Sequence, residues 1–87
     1  MPQIEIYTSP YCGYCSRAKS LLNKKGVGYE EIDVTQGEGK QAEMMQRAAG
    51  RRSVPQIFID GKHVGGCDDL YALDAAGGLD SMLKPVS

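Results

Sequence analysis

Ile4-Glu5-Ile6-Tyr7-Thr8-Ser9-Pro10-Tyr11-Cys12-Gly13-Tyr14-Cys15 is the stretch on which the fold turns. Alternation from Gln3 to Tyr7 predicts a strand, and Pro10 ends it by removing a donor and biasing Ser9 towards extended geometry. Beyond it, Cys15, Ala18, Leu21 and Leu22 recur at helical spacing between Cys12 and Lys25. Lys24-Lys25 and Gly26 are C-terminal helix signals. A Cys-x-x-Cys pair therefore sits where a strand gives way to a helix. Cys12 falls at the helix N-terminus, where unpaired N–H groups and the macrodipole favour an anion. A thiolate is the form that attacks a disulfide. Cys15, one turn on, is expected to be more buried, to titrate higher, and to displace a substrate from Cys12 by closing an intramolecular disulfide. Arg17 and Lys19 are cations in the early turns that can help hold a thiolate.

Outward from this junction, Tyr29 to Val34 reads as a second strand and Gly37-Glu38-Gly39 as a loop. A second helix is expected from about Lys40 to Ala49, with Met45, Ala48 and Ala49 on its core side and Gly50 ending it. Ser53-Val54-Pro55 precedes an apolar run, Ile57-Phe58-Ile59; Asp60-Gly61 is a two-residue hairpin signal, and Lys62-His63-Val64 returns. Gly65-Gly66 opens a third helix from about Cys67 to Ala75, and Gly77-Gly78 precedes a short last one to Leu83. The first three elements fit a parallel βαβ unit with a right-handed crossover, and the hairpin adds antiparallel strands at its other side. The expected architecture is α/β, a four-stranded mixed sheet flanked by helices in the order βαβ-α-ββ-α, in one domain spanning 1–87.

Composition narrows the function classes. Ten basic against eleven acidic residues leave a net charge of -1, with no electrostatic footprint for nucleic acid. No apolar run is long enough to span a bilayer, and Met1-Pro2-Gln3-Ile4-Glu5 lacks the basic and apolar regions of a signal peptide. The expectation is a cytoplasmic protein with neither membrane nor nucleic-acid partner. Three cysteines are an odd count, which fits poorly with a disulfide-stapled secreted scaffold. The alternative to a redox pair is a zinc half-site. Structural zinc needs four ligands, and the remaining Cys67 and His63 have no knuckle-like spacing.

Two further segments carry chemistry. Pro55 reads either as a strand-initiating proline or as a cis proline facing the Cys-x-x-Cys pair, which would leave the Val54 backbone free to dock an extended peptide thiol. In Gly65-Gly66-Cys67-Asp68-Asp69, glycines followed by a helix N-terminus suit a ligand carboxylate, and the Asp68 carboxylate suits an ammonium group. Together they would recognise an α-amino acid head. Asp69 reads as an N-cap, His63 as solvated, and Met44-Met45 as core. Gly37-Glu38-Gly39-Lys40 lacks the spacing and ending of a phosphate loop.

These three segments, in this order, resemble the glutaredoxin family, most closely its short dithiol bacterial members. The resemblance runs from Ile4-Glu5-Ile6-Tyr7-Thr8 through Ser53-Val54-Pro55-Gln56-Ile57-Phe58-Ile59 to Gly65-Gly66-Cys67-Asp68-Asp69-Leu70. It implies a thioredoxin fold and a glutathione-dependent thiol–disulfide oxidoreductase, with Cys12 and Cys15 catalytic. It further implies that Tyr14 flanks bound glutathione, that Val54 and a cis Pro55 hold its cysteinyl backbone, and that Gly66, Cys67 and Asp68 take its γ-glutamyl end. Its partners would be glutathione and glutathionylated or disulfide-bonded proteins.

Two positions depart from the family pattern. Gly13-Tyr14 stands where Pro-Tyr is usual, and Ser9 where many members carry a lysine; Arg47, Arg51 and Arg52 are the candidate replacements. Glycine relaxes the first helical turn that proline would preset. Some members with a small residue there resemble this chain and hold a [2Fe–2S] cluster between two subunits, with Cys12 the corresponding protein ligand and glutathione supplying the remaining thiolates. The expected states are thus a monomeric enzyme or, with a cluster, a dimeric carrier or sensor.

Overall fold

The computed structural model describes residues 3–83. Its elements run β1 (Ile4–Thr8), α1 (Gly13–Lys24), β2 (Glu30–Asp33), α2 (Lys40–Arg47), β3 (Gln56–Ile59), β4 (Lys62–Gly65), α3 (Cys67–Ala75) and α4 (Gly78–Leu83). One sheet carries the four strands in the order β2-β1-β3-β4. β1 pairs parallel with β2 and antiparallel with β3, and β3 pairs antiparallel with β4. The parallel crossover and the hairpin on its far side are thus where the sequence puts them. This is the thioredoxin fold.

Strand alternation divides the core in two. Ile4 and Ile6 of β1, with Ile57 and Ile59 of β3, lie under Ala18, Leu21 and Leu22 of α1, Leu70 of α3 and Leu79 and Leu83 of α4. The opposite face presents Tyr7 and Phe58 to Met44 and Ala48. That second cluster is small, and polar contacts reinforce it. Arg47 donates from Nη1 and Nη2 to the two carboxylate oxygens of Glu5 at 3.0 and 2.9 Å, and from Nη1 to Tyr7 Oη at 2.8 Å. Its guanidinium lies 4.1 Å from the Phe58 ring centroid. Tyr7 in turn donates to Glu43 at 2.7 Å. α2 is pinned to the sheet as much by this fork as by apolar burial.

Two local expectations change and one holds. Met44, not Met45, is the fully buried methionine of α2, and Met45 is only half-buried. Ala49 is exposed with φ 56° while Ala48 is buried, because the helix ends at Arg47 and the chain turns left-handed before Gly50. The Asp60-Gly61 hairpin takes positive φ at both residues, 51° and 81°, as a tight turn of that composition demands.

Candidate active site

The junction of β1 and α1 fixes the two thiols. Cys12 is the N-cap of α1, with extended φ and ψ of -101° and 109°. Its Sγ accepts the Cys15 N–H at 3.2 Å, so a helix-terminal donor that would otherwise lack a partner is spent on sulfur. The same Sγ lies 3.8 Å from the Val54 carbonyl oxygen, to which the thiol donates. Val54–Pro55 is cis. Cys12 is half-exposed, whereas Cys15 is buried on the core side of α1. Burial, then the neighbouring Cys12 sulfur, pushes the Cys15 thiol up to about 12. All three cysteines are free thiols.

Two clefts flank Cys12. The first, of about 160 Å³, is lined by all six residues to which the resemblance assigns glutathione: Tyr14, Val54, Pro55, Gly66, Cys67 and Asp68. Three separate parts of the chain meet there, so no local stretch contains the cleft. Burial raises the Cys67 thiol. The second, larger cleft is lined by the 8–13 loop, Cys15, Ser16, Lys19, Glu31 and Asp33. Cys12 stands on its rim and, through the Val54 carbonyl, also meets the first.

Arg51, Ser53 and Asp69 also line the first cleft; the sequence reading offered Arg51 only as one of three candidate cations and gave Ser53 and Asp69 no ligand role. Asp69 is not the N-cap of α3; Gly66 is, and Asp69 at the third helical position accepts the Gly66 N–H at 2.9 Å. That bond, before the Arg51 contact, holds its carboxyl below the ordinary value. Arg51 Nη1 donates to Asp69 at 3.0 Å. Of the three arginines left open at the Ser9 departure, Arg51 is the one at the cleft. Arg47 is committed to Glu5 on the opposite face, and Arg52 does not line the cleft. The spacing of Asp69 after Gly66 signals a reach-back cap, whereas nothing local marks Arg51.

Supporting contacts come from a distance. Buried Gln56 donates to the Ser53 carbonyl at 3.0 Å and meets His63 Nε2 at 2.7 Å, tying the loop before Pro55 to β4. His63 is exposed, as expected, but tilts over Phe58 with centroids 5.0 Å apart. Arg17 lies 5.7 Å over the Tyr71 ring, and Lys19 pairs with Glu31 at 3.0 Å. Among the described residues no three His, Cys, Asp or Glu side chains come together to hold a metal ion, and no helix is long and apolar enough to cross a membrane.

Comparison with known proteins agrees with this arrangement. The glutaredoxin family profile matches residues 4–64. The chain is 57% identical to glutaredoxin 3 of Escherichia coli over 84 residues, covering 97% of this chain and all of that one. The solution structure of a glutaredoxin from Brucella melitensis superposes with a TM-score of 0.81 at 52% identity, over 97% of this chain and 94% of that one. A buckwheat glutaredoxin–glutathione complex superposes with a TM-score of 0.84 at 40% identity, over 92% of this chain and 74% of that one. With sequence and backbone agreeing over nearly its whole length, the chain belongs to the glutaredoxin family.

Proposed function

We propose that this glutaredoxin reduces glutathione mixed disulfides and protein disulfides at the expense of glutathione, in the cytoplasm and as a monomer. The observation that carries the reading is the setting of Cys12: a half-exposed sulfur at a helix N-terminus, accepting an N–H and bordering the cleft lined by Tyr14, Val54 and Pro55. Cys12 attacks the glutathionyl sulfur of a substrate, whose own thiolate leaves and takes a proton. A second glutathione then attacks the Cys12 mixed disulfide and regenerates the thiol. Alternatively Cys15 attacks Cys12, closing the intramolecular disulfide and releasing glutathione.

Within the cleft, the Val54 backbone pairs with the cysteinyl residue of glutathione and Pro55 keeps that edge open. Gly66, Cys67 and Asp68 take the γ-glutamyl head, and Tyr14 covers the tripeptide. Arg51, at the same cleft, supplies the cation that Ser9 does not. The buckwheat glutaredoxin solved with glutathione supports this assignment at 40% identity. The test is glutathione-coupled reduction of a small mixed disulfide with NADPH and glutathione reductase. Cys12→Ser is expected to lose all activity, and Cys15→Ser to keep it, because that route needs one cysteine. An active Cys12→Ser protein would overturn the mechanism.

Gly13 favours a second reading, a glutathione-ligated [2Fe–2S] dimer. A side chain there would meet no heavy atom within 4 Å, so the surface beside Cys12 is open to a second subunit. Cys12 of each subunit would be the protein ligand, and glutathione would supply the other thiolates. Anaerobic, iron-replete protein with glutathione should then be brown and dimeric; a colourless monomer rejects this reading.

A further inference from the structure

We propose that Lys19 is a positioning residue for the resolving step: its ammonium, anchored by Glu31, faces the cleft into which Cys15 opens and favours the thiolate that Cys15 must become. The inference rests on the dithiol route described above. Displacement at sulfur is in line, so the incoming Cys15 sulfur and the departing glutathione sulfur lie on opposite sides of Cys12. With glutathione leaving into the cleft lined by Tyr14 and Val54, Cys15 approaches from the second cleft. That cleft is lined by Cys15, Lys19 and Glu31, and Cys15 lines no part of the first.

Lys19 is four residues after Cys15 and so shares its face of α1 one turn on. A free lysine there would sample many rotamers. This one is held: its Nζ lies 3.0 Å from Glu31 Oε2, which also accepts the hydroxyl of Thr8 at 2.8 Å. Thr8 is only 1% exposed, so β1 and β2 together fix the cation. The charged or titratable groups that line this cleft with Cys15 include Cys12 at the start of α1, Lys19 further along it, and Glu31 and Asp33 of β2. Burial and Cys12 oppose its ionisation, while the Ser9 backbone N–H and Lys19 favour it.

In the step itself the Cys15 thiol gives its proton to solvent, and the thiolate forms a bond to Cys12 Sγ. The bond between Cys12 and glutathione breaks, and glutathione leaves with the electron pair and takes up a proton. One disulfide is consumed and one is formed. Lys19 stabilises the charge that appears on Cys15 before the attack.

The test has two arms. Alkylation of Cys15 by iodoacetamide, read by peptide mass spectrometry in Cys12→Ser protein, follows the Cys15 thiolate between pH 7 and 10. Adding Lys19→Gln is expected to lower that rate ~3- to 10-fold at each pH, the scale of one screened unit charge lining the same cleft, and Lys19→Arg to restore most of it. In the second arm, closure of the Cys12–glutathione disulfide in otherwise wild-type protein is expected to slow by the same factor with Lys19→Gln. Unchanged alkylation in Lys19→Gln overturns the inference. So does an equal change in Lys19→Arg, which would mark a role in packing alone. The alkylation arm requires no glutathione chemistry, so it decides the inference even if wild-type protein fails to turn over glutathione substrates, a result that would instead sink the proposed function.

Discussion

Replacing Arg47 by methionine should destabilise the fold by about 2–3 kcal/mol while leaving the thiol chemistry in place. Its guanidinium forks onto both Glu5 oxygens at 2.9 and 3.0 Å, and the two side chains are 28% and 19% exposed. The pair therefore lies between an exposed ion pair, worth about 0–1 kcal/mol, and a buried one, whose rupture costs about 3–5 kcal/mol. Methionine keeps most of the packing over Phe58 but strands the Glu5 carboxylate and removes a donor from Tyr7. Against a total stability of about 4–13 kcal/mol for a chain this short, the loss is large. The pairing also makes a pH prediction. The Arg47 hydrogen bonds hold the Glu5 carboxyl below its usual 4.5. A depressed carboxylate contributes stability that is complete above that usual value and is lost as pH falls through the lower, folded value. The gap between wild type and Arg47→Met should therefore shrink from pH 7 to pH 3. Urea unfolding followed by far-UV circular dichroism, on wild type, Arg47→Met, Glu5→Gln and the double variant, measures both effects. A coupling energy under about 0.5 kcal/mol at pH 7, or a gap indifferent to pH, would refute the assignment of α2 docking to this fork.

Three further outcomes follow from the geometry. Gly13→Pro should raise stability by about 0.4–1 kcal/mol, since position 13 is the first of α1 and Cys12 already has the extended conformation that a following proline requires; a loss in denaturant midpoint contradicts this. Gly65→Ala should cost about 2 kcal/mol or more and lower Tm by roughly 8 °C or more. Gly65 has φ +124°, and a Cβ there would stand 2.7 Å from the Asp69 carboxyl carbon and displace the carboxylate that caps α3; a thermal melt matching wild type would exclude that clash. Burial against Phe58, then the Arg51 charge, lowers the His63 pKa from its usual 6.5, so the unfolded chain binds more protons just below that value. Stability should accordingly rise with pH through that window and flatten in His63→Gln, which parallel denaturation series at pH 5 and 7 would detect.

Much of this protein is determined by its sequence alone, because the relevant signals act over a few residues. Alternation in Ile4-Glu5-Ile6-Tyr7, the helical spacing of Cys15, Ala18, Leu21 and Leu22, and the Asp60-Gly61 turn place the strands, the first helix and the hairpin. A right-handed crossover then yields the sheet order. The same local logic puts Cys12 at a helix N-terminus with Cys15 buried one turn on. Only the tertiary structure chooses among equivalent side chains. It sends Arg47 to Glu5, 42 positions away, and leaves Arg51 at the cleft; it aligns Lys19 with Glu31 beside Cys15; it buries Met44 rather than Met45 and turns Asp69 back onto Gly66. Those choices depend on which strands and helices lie face to face. Periodicity along the chain says which way a side chain points, but its partner is decided by distances across the sheet.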